Sequence, residues 1–416
     1  MRVARLVAGV LVITSFLLTG CSKEEENIKV GFIDPLSGPF ANVGEQGLRT
    51  LHLFVDQLNA RGGVLGGKKF EVIPLDGKAN PQESLIAFRQ LADQNVKYIF
   101  QGNSSAVAGA LTDAVTKHNQ RNPGDEIIYL NYAAVDPVLT NDRCSFWHFR
   151  FDADAEMKMQ ALTNMMAEQP SIKKVYLINQ DYSFGHAVEG AATTMIEDKR
   201  PDIEIVGKKL HPLGKIKDFS PYISEIRASG ADSVITGNWG TDLALLIRAA
   251  RDAGLDASFY TYYAGVAGTP TAIGDAGINR VKQVTTWHVN AGDDASNQVV
   301  EAYREKFPET TDDVFFLSMQ HAMELLALAI EEVGSTDPVQ VALALEGSRY
   351  DAIPDEVWIR KDNHQLLQPM YISTFKKQGD EGVFYDVERT GIGPKSDFYV
   401  EAKDTALPTT CVMERP

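Results

Sequence analysis

The sequence predicts an α/β protein with two lobes, each containing a parallel β-sheet that is covered by helices on both faces. Short continuous apolar runs alternate along the chain with segments in which apolar residues recur every three or four positions. The first pattern is typical of buried strands and the second of amphipathic helices. The alternation starts at residue 28 and begins again after about residue 152, and the 416 residues are enough for two hydrophobic cores.

The first series opens with the strand "IKVGFI" and continues into a helix. Four apolar residues at helical spacing predict the core side of this helix: Leu48, Leu51, Val55 and Leu58. Asn42 and Glu45 predict a capping box at its start, and a glycine pair predicts its end. The strand "FEVIPLD" follows, and Asn80 and Pro81 then predict the start of the next helix. The strands "VKYIF" and "EIIYLNY" flank a helix over residues 106–118.

The second series repeats this order with the strand "KKVYLIN", a helix over 183–198, the strand "IEIVGKKL", the helix "SPYISEIRASG", the strand "DSVITGN", the helix "TDLALLIRAARDAG" and the strand "ASFYTYY". A later strand, "VKQVTTWHV", leads into a long helix, "FFLSMQHAMELLALAIEEVG", so the chain is expected to cross between the lobes more than once. The stretches "EVWIR" and "PMYISTF" predict two further strands, and the last forty residues are expected to form an extended tail.

The first residues predict an export signal rather than part of the fold. Two arginines precede an apolar run over 6–18, which is too short for a stable membrane span. The run ends in Leu-Thr-Gly-Cys, which resembles the lipobox of bacterial lipoproteins. We therefore expect a signal peptide over 1–20, lipidation of Cys21 and a tether over 21–27, although an ordinary signal peptide with a chance cysteine is the alternative. The mature protein is expected in the periplasm or at the cell surface, in contact with the membrane through its lipid anchor alone.

Cysteine, histidine and charge content limit the other partners. Apart from Cys21, the chain has Cys144 and Cys411, which either form one disulfide or remain two free thiols in an exported protein. The eight histidines show no metal-binding spacing, so no metal is expected. A net charge of −16 with scattered basic residues argues against nucleic acid or an anionic membrane surface as a partner.

Two stretches imitate catalytic motifs. The stretch "GGVLGGKK" (62–69) contains the GxxxxGK pattern of a phosphate-binding loop. However, it connects a helix to a strand, whereas such a loop connects a strand to a helix. It is therefore interpreted as a helix end and a turn. "GNSSA" (102–106) departs from the GxSxG elbow of serine hydrolases at its last position, and no histidine is assignable as the base. A hydrolase that uses Ser104 or Ser105 remains a weak third hypothesis.

Ser104 and Ser105 are better suited to binding an anion. They lie where a predicted parallel strand ends and a helix begins, next to Asn103. Free N–H groups and the helix dipole favour a carboxylate at such a position. The simpler interpretation is that Ser104 only caps the helix.

The second series offers polar and aromatic groups at the same kind of strand end. "NQDYSFG" (179–185), "GNWG" (237–240) and "YTYYAG" (260–265) each follow a strand. Each aromatic residue taken singly could be ordinary packing, but the three stretches together predict a wall. Two facing edges of this kind form a cleft that can close around a small ligand.

The chain from Ile28 onward resembles the periplasmic leucine/isoleucine/valine-binding proteins, the type I solute-binding proteins of ABC importers. The stretches that carry the resemblance are "IKVGFIDPLSGPFANVGEQG", "DQLNARGGVLGGKKFEVIPLDGKANPQES", "VKYIFQGNSSA", "AAVDPVLTN", "DYSFG" and "RKDNHQLLQPMYI". The resemblance implies Rossmann-like lobes joined by three crossings, no catalysis, no cofactor, and delivery of a ligand to a membrane permease. We expect lobe 1 in 28–152 and 286–368, lobe 2 in 153–285 and 369–416 with the C-terminal tail, and a monomer.

The resemblance also implies site residues. Ser105 matches the serine that binds the ligand carboxylate, and Ala133 matches a position whose backbone contributes there. Phe184 falls where a tyrosine often covers the ligand, and Trp239 falls near a second aromatic wall. Val135 replaces a threonine that contacts the ligand in amino-acid binders.

Branched-chain binders have an acidic partner for the α-ammonium, whereas this chain has Tyr262 and Tyr263 there. Asp181 or Asp242 are possible substitutes. Because a buried ammonium without a partner is costly, we expect a small carboxylate, either an amino acid or, by preference, an aromatic or aliphatic acid. The predicted function is the solute-binding component of an importer, and the alternative is a ligand-sensing receptor or regulator of the same fold.

Overall fold

The computed structural model describes residues 27–292, 294–352 and 355–416. The predicted signal peptide, Cys21 and nearly all of the tether lie outside the described residues.

The first series forms a sheet of five parallel strands in the order β2-β1-β3-β4-β5. Its strands are β1 (Ile28–Asp34), β2 (Phe70–Asp76), β3 (Tyr98–Gln101), β4 (Ile128–Asn131) and β5 (His148–Arg150). Its helices are α1 (Ala41–Ala60), α2 (Pro81–Asp93) and α3 (Ser105–Arg121), with 3-10 turns at Gly38–Phe40 and Pro137–Thr140. β1, β3 and β4 are mostly apolar and almost wholly buried, as their sequences predict, whereas the edge strand β2 is mostly half-buried or exposed.

The second series contains β6 (Lys174–Gln180), β7 (Glu204–His211), β8 (Ser233–Thr236), β9 (Ser258–Thr261) and β10 (Val281–Thr285). Its helices are α4 (Ala155–Ala167), α5 (Ser183–Lys199), α6 (Ser220–Ser229), α7 (Gly240–Asp252) and the short α8 (Thr269–Ile273), followed by a 3-10 turn at Asp275–Gly277. The remaining elements are α9 (Asp294–Lys306), α10 (Ser318–Val333), α11 (Pro338–Leu345), β11 (Arg349–Asp351), β12 (Glu356–Ile359), β13 (Leu366–Leu367), β14 (Met370–Lys377), β15 (Ile392–Val400) and a 3-10 turn at Ala402–Thr405.

The second sheet has seven strands in the order β15-β14-β10-β9-β8-β6-β7. β15 pairs antiparallel with β14, and β14 pairs antiparallel with β10. The remaining neighbours in this sheet pair in parallel. Helices α9 and α10 pack on α1 of the first lobe, so the chain returns there after β10 and leaves again before β14. A small sheet of β11, β12 and β13 precedes this last crossing.

Arg150 lies fully buried at the crossing that follows β5. Its guanidinium donates to the Gln365 side chain (2.5 Å), to the Asp136 carbonyl (2.7 Å), to Thr140 and to the Asp154 carboxylate (2.8 Å). One side chain thus joins the first crossing, the segment before β13 and the start of α4.

Two local predictions are wrong. The Asn42 capping box does not form, because α1 begins at Ala41 and the Asn42 amide instead donates to the Ala267 carbonyl of the second lobe. The last forty residues are not simply an extended tail, since they contain β15. The glycine-rich stretch over 62–69 does connect α1 to β2, as interpreted, and Asn80 caps α2 as predicted.

The true tail, residues 401–416, runs from β15 back to the first lobe. Cys411 forms a disulfide with Cys144, with Cα atoms 5.7 Å apart, so the bridged alternative is the one that the structure contains. The Thr409 hydroxyl donates to the Thr140 carbonyl (3.0 Å), and Arg360 donates to the Leu407 carbonyl (2.6 Å). The tail is therefore a further connection between the lobes.

Candidate functional site

A narrow cavity lies between the lobes at the carboxyl ends of their parallel strands. The first lobe contributes Val43, Gly102, Asn103, Ser104, Ser105, Ala133, Ala134, Val135 and Phe316 to its lining, and the second contributes Tyr182, Phe184, Trp239, Tyr263 and Val266. This position follows from the topology, because loops after neighbouring parallel strands converge at one sheet edge.

The two lobes contact one another around the cavity. The rings of Phe40 and Trp239 stack with centroids 4.2 Å apart, and the Tyr263 hydroxyl donates to the Ala133 carbonyl (3.3 Å). The Gln46 Oε1 accepts the Ala267 N–H of the second lobe (3.1 Å), while the Gln46 Nε2 donates to the Asp313 carbonyl (2.8 Å). These contacts hold the lobes together over the cavity.

Ser104 has the most unusual environment in the lining. It occupies the N-cap position of α3, but its hydroxyl makes no capping bond, and its backbone has a φ of +82°. The Ser104 Oγ is buried and has no hydrogen-bond partner within the described part of the chain. The simple capping interpretation is therefore wrong, and an unpartnered hydroxyl lies at the wall of the cavity.

The start of α3 adds further donors to this wall. The first N–H that bonds within the helix belongs to Ala108, which donates to the Ser104 carbonyl (3.0 Å), and the N–H groups before it lack intrahelical partners. The Ser105 hydroxyl, also in the lining, accepts the Asp136 N–H (3.2 Å) and retains its own proton for donation. This wall suits an anion.

Aromatic rings form the facing wall. The Phe184 ring lies 6.1 Å from Tyr182 and 6.0 Å from Tyr263, measured between centroids. The Tyr182 hydroxyl accepts a hydrogen bond from the Trp239 indole N–H (2.8 Å), so its own proton is available to another acceptor. Burial raises the pKa of Tyr182, which therefore stays a neutral donor. This wall therefore presents aromatic surface and one free hydroxyl proton to the cavity.

Eight of the residues singled out in the sequence line the cavity: Asn103, Ser104, Ser105, Ala133, Val135, Phe184, Trp239 and Tyr263. The Ala133 backbone is already engaged, since its N–H donates to Asn131 (3.2 Å) and its carbonyl accepts from Tyr263.

Three others lie elsewhere. Tyr262 lies behind the wall and donates to the Ala155 carbonyl (2.9 Å). The Asp181 side chain is 57% exposed and pairs with His186 (2.9 Å), so the structure places it outside the cavity. Asp242 is buried, and its Oδ2 accepts from Gln180 (2.8 Å) and the Gly214 N–H (2.8 Å), while its Oδ1 has no partner among the described residues.

Sequence reasoning missed the residues behind Asn103. Asp34, the last residue of β1, accepts N–H groups of the loop that leads to Ser104, and Tyr132 donates to it (2.6 Å). The position of Asp34 at the end of a parallel strand was the available signal. Tyr182 belongs to the stretch "NQDYSFG" that predicted part of the wall, but it was not itself singled out as a site residue. Val266 and Phe316 were missed for want of any distinguishing pattern.

The lining has hydroxyl, amide, aromatic and apolar groups, and none of its described residues is acidic or basic. Within residues 27–292, 294–352 and 355–416, no cluster of three or more potential metal ligands is found. In the same ranges no helix combines the length and apolar character that crossing a membrane requires.

Comparison with known proteins gives three close matches in fold and sequence. A family described as "Periplasmic binding protein" matches residues 27–380. The Leu/Ile/Val-binding protein homolog 4 of Brucella abortus is 31% identical over 417 aligned residues, covering 99% of this chain and 98% of the relative. The closed leucine-, isoleucine-, valine-, threonine- and alanine-binding protein of Brucella ovis superposes with a TM-score of 0.82 at 29% identity, covering 94% of this chain and all of the other.

A more distant structure shows the same fold. The solute-binding protein of Rhodopseudomonas palustris BisB5 in complex with 3,4-dihydroxybenzoic acid superposes with a TM-score of 0.77 at 19% identity, covering 91% of this chain and 98% of that one.

Proposed function

Since the chain belongs to the periplasmic binding protein family, whose members are extracytoplasmic solute-binding proteins, we propose that it is the ligand-capturing component of an ABC importer. The lobes trap a small carboxylate by hinge closure and release it unchanged to the permease subunits. The protein acts as a monomer attached to a bacterial membrane through a lipid on Cys21. Mass analysis of its N-terminal peptide would show whether Cys21 carries the lipid.

One observation carries the proposal: the Ser104 hydroxyl is buried and unpartnered in a cavity between the lobes. Leaving a buried donor unsatisfied costs about 1–3 kcal/mol, and a carboxylate seated against it would remove that cost. The first turn of α3 and the Ser105 hydroxyl supply further donors to the same anion.

The preferred ligand is an aromatic or branched aliphatic acid without an α-ammonium. No carboxylate side chain lies in the lining, so an ammonium in the cavity would have no ionic partner there. The rings of Tyr182, Phe184, Trp239 and Tyr263 provide an apolar wall for the rest of such a ligand. The dihydroxybenzoate complex named above shows that this fold can hold an aromatic acid.

A branched-chain amino acid is the second candidate. The observation that favours it is the buried Oδ1 of Asp242, which has no hydrogen-bond partner among the described residues and lies three residues after the lining residue Trp239 in the chain. The names of the Brucella relatives point in the same direction.

Calorimetric titration with matched ligand pairs separates these candidates. 4-Methylpentanoate and L-leucine share a skeleton and differ in the ammonium group, while benzoate and benzamide differ in the negative charge. We expect both acids to bind, L-leucine to bind more weakly than 4-methylpentanoate, and benzamide not to bind. Tighter binding of L-leucine would select the amino-acid candidate, and failure of every carboxylate to bind would contradict the proposed function.

A further inference from the structure

Asp34 is a buried carboxylate for which the site described so far gives no direct role. It is 2% exposed, and three donors converge on it. The Asn103 N–H donates to Oδ1 (2.9 Å), while the Gly102 N–H (3.2 Å) and the Tyr132 hydroxyl (2.6 Å) donate to Oδ2. Gly102 and Asn103 are both lining residues, so Asp34 lies directly behind the proposed anion site.

This carboxylate has no cationic partner in the part of the chain that the structure describes. Among the described residues, Asp34 forms no ion pair. Tyr129 of β4 and Tyr132, which directly follows that strand, are the titratable groups that face it on this side, and Arg150 of β5 acts on Tyr129. Asp76 of β2 is its register partner on the other side, and α10 contributes the uncharged Ser318, which donates to the Tyr132 carbonyl (2.7 Å). Burial raises the pKa of Asp34 to about 7.

The same network fixes the loop before Ser104. The Asn103 side chain donates to the Tyr132 oxygen (2.8 Å), and its carbonyl accepts from Gln101 (2.6 Å). Asp34 accepts the N–H groups of Gly102 and Asn103 on one side of this loop, and the bonds from Asn103 to Tyr132 and Gln101 hold it on the other. The next residue is Ser104, whose positive φ is a conformation that only firm support on both sides sustains.

We propose that Asp34 is a positioning residue for the Ser104 loop and that it takes up a proton when a carboxylate binds at Ser104. This inference rests on the proposed function. The bound ligand carboxylate places a second negative charge close to Asp34. It disfavours the ionised form of Asp34, because like charges at short range oppose one another. The proton comes from solvent on binding and returns to solvent on release, and no other bond changes.

The pH dependence follows with a definite sign. Below pH 7 Asp34 is already mostly protonated in the free protein, so binding takes up little. As the pH rises through 7, Asp34 ionises in the free protein, and ligand binding must then be accompanied by uptake of a proton from solvent. The affinity for the ligand therefore falls as the pH rises. A group that only supported the fold would leave affinity independent of pH in this range.

The test is calorimetry of benzoate and 4-methylpentanoate in buffers of different ionisation enthalpy. At pH 7.5 we expect an uptake of roughly half a proton per ligand and an affinity that falls several-fold from pH 6 to pH 8.5. Asp34→Asn should abolish both effects. Asp76→Asn is the matched control, since Asp76 is in register with Asp34 but bonds only to Ser37, Leu36 and Lys78, and it should leave both effects intact.

Tyr132→Phe gives a second route if Asp34→Asn does not fold. It removes a hydrogen bond that stabilises the ionised form of Asp34, so the pKa of Asp34 rises. The pH at which proton uptake is largest should therefore move upward. Carboxylate binding by the wild-type protein without proton uptake, or uptake that persists in Asp34→Asn, would overturn the inference and leave the proposed function standing. Failure of both acids and of L-leucine to bind at any pH would instead overturn the proposed function.

Discussion

Ser104 combines a positive φ with a buried hydroxyl that has no partner in the described chain, and each of these two features costs stability. A residue that loses stability in two ways is expected to gain something from a ligand. The serine pair could be predicted from the sequence because it follows an apolar run at a strand end. Its geometry could not, because the φ of Ser104 is set by Asp34 and Tyr132, which lie far away in the chain.

Replacing Ser104 separates binding from stability. Ser104→Ala should weaken carboxylate binding by about 10- to 100-fold, because it removes a hydrogen bond to a charged group. The unliganded protein should keep its stability, because the deleted hydroxyl was unsatisfied. Ser104→Gly should bind equally weakly yet be about 1 kcal/mol more stable than Ser104→Ala, since glycine accepts a positive φ. Titration and urea denaturation measure the two effects.

Ser373→Ala is the matched control for this comparison. Ser373 lies in β14, is fully buried, and also has a hydroxyl without a partner in the described chain. It does not line the cavity. Its replacement should leave affinity unchanged, and an equal loss of affinity in both alanine variants would show that Ser104 has no special role.

At the scale of elements, most buried strands and helices were predictable, but the buried strand β5 and the largely buried helix α4 were not predicted, and neither were exposed or long-range features. β15 was not predicted because it is an edge strand whose buried first part contains a glycine and a proline and whose remaining residues are half-buried or exposed, so it has no continuous apolar run. The start of α1 was misplaced because Phe40, which stacks on Trp239, takes the N-cap position. A contact across the cleft overrode a local capping signal there.

The start of α7 offers a test of lobe closure. Gly240, its first residue, has a φ of +57°, and a Cβ there would lie 2.8 Å from the Phe40 ring of the other lobe. Gly240→Ala should therefore hinder closure and weaken carboxylate binding by about tenfold, because fewer molecules reach the closed form. Titration calorimetry with the carboxylate that binds the wild type measures this loss.

Gly230→Ala controls for the backbone effect. Gly230 ends α6 with a φ of +70°, and a Cβ there would meet nothing within 4 Å. Both variants should lose about 1 kcal/mol of stability from the unfavourable φ, but only Gly240→Ala should lose affinity. Unchanged affinity in Gly240→Ala would mean that the lobes do not need to meet at Phe40 for binding.

At the scale of the whole molecule, the restart of the strand–helix series after residue 152 was enough to predict two lobes. The site between them could be predicted only in part, because which strand ends face one another depends on three-dimensional packing. Asp181 illustrates this limit. It directly precedes Tyr182, a lining residue, yet its own side chain is exposed to solvent.

The disulfide should contribute measurably to stability. Replacing both Cys144 and Cys411 by serine should lower the free energy of unfolding by about 2–5 kcal/mol, because the bridge restricts the unfolded chain. Denaturant unfolding of the variant and of the oxidised and reduced wild type measures this change. The reduced wild type should match the variant, and equal stability of all three forms would contradict the prediction.

The bond between Cys144 and Cys411 spans 267 residues, which include the whole second sheet and each crossing described above. The chain between these two cysteines is thus closed into a ring, with most of the first lobe before Cys144 and a short segment after Cys411. A protease that nicks any one loop of this ring would leave both pieces covalently attached, and they would separate on a denaturing gel only after a thiol reductant had been added. While the disulfide is intact, a single cut within this ring would therefore not divide the protein into two separate pieces.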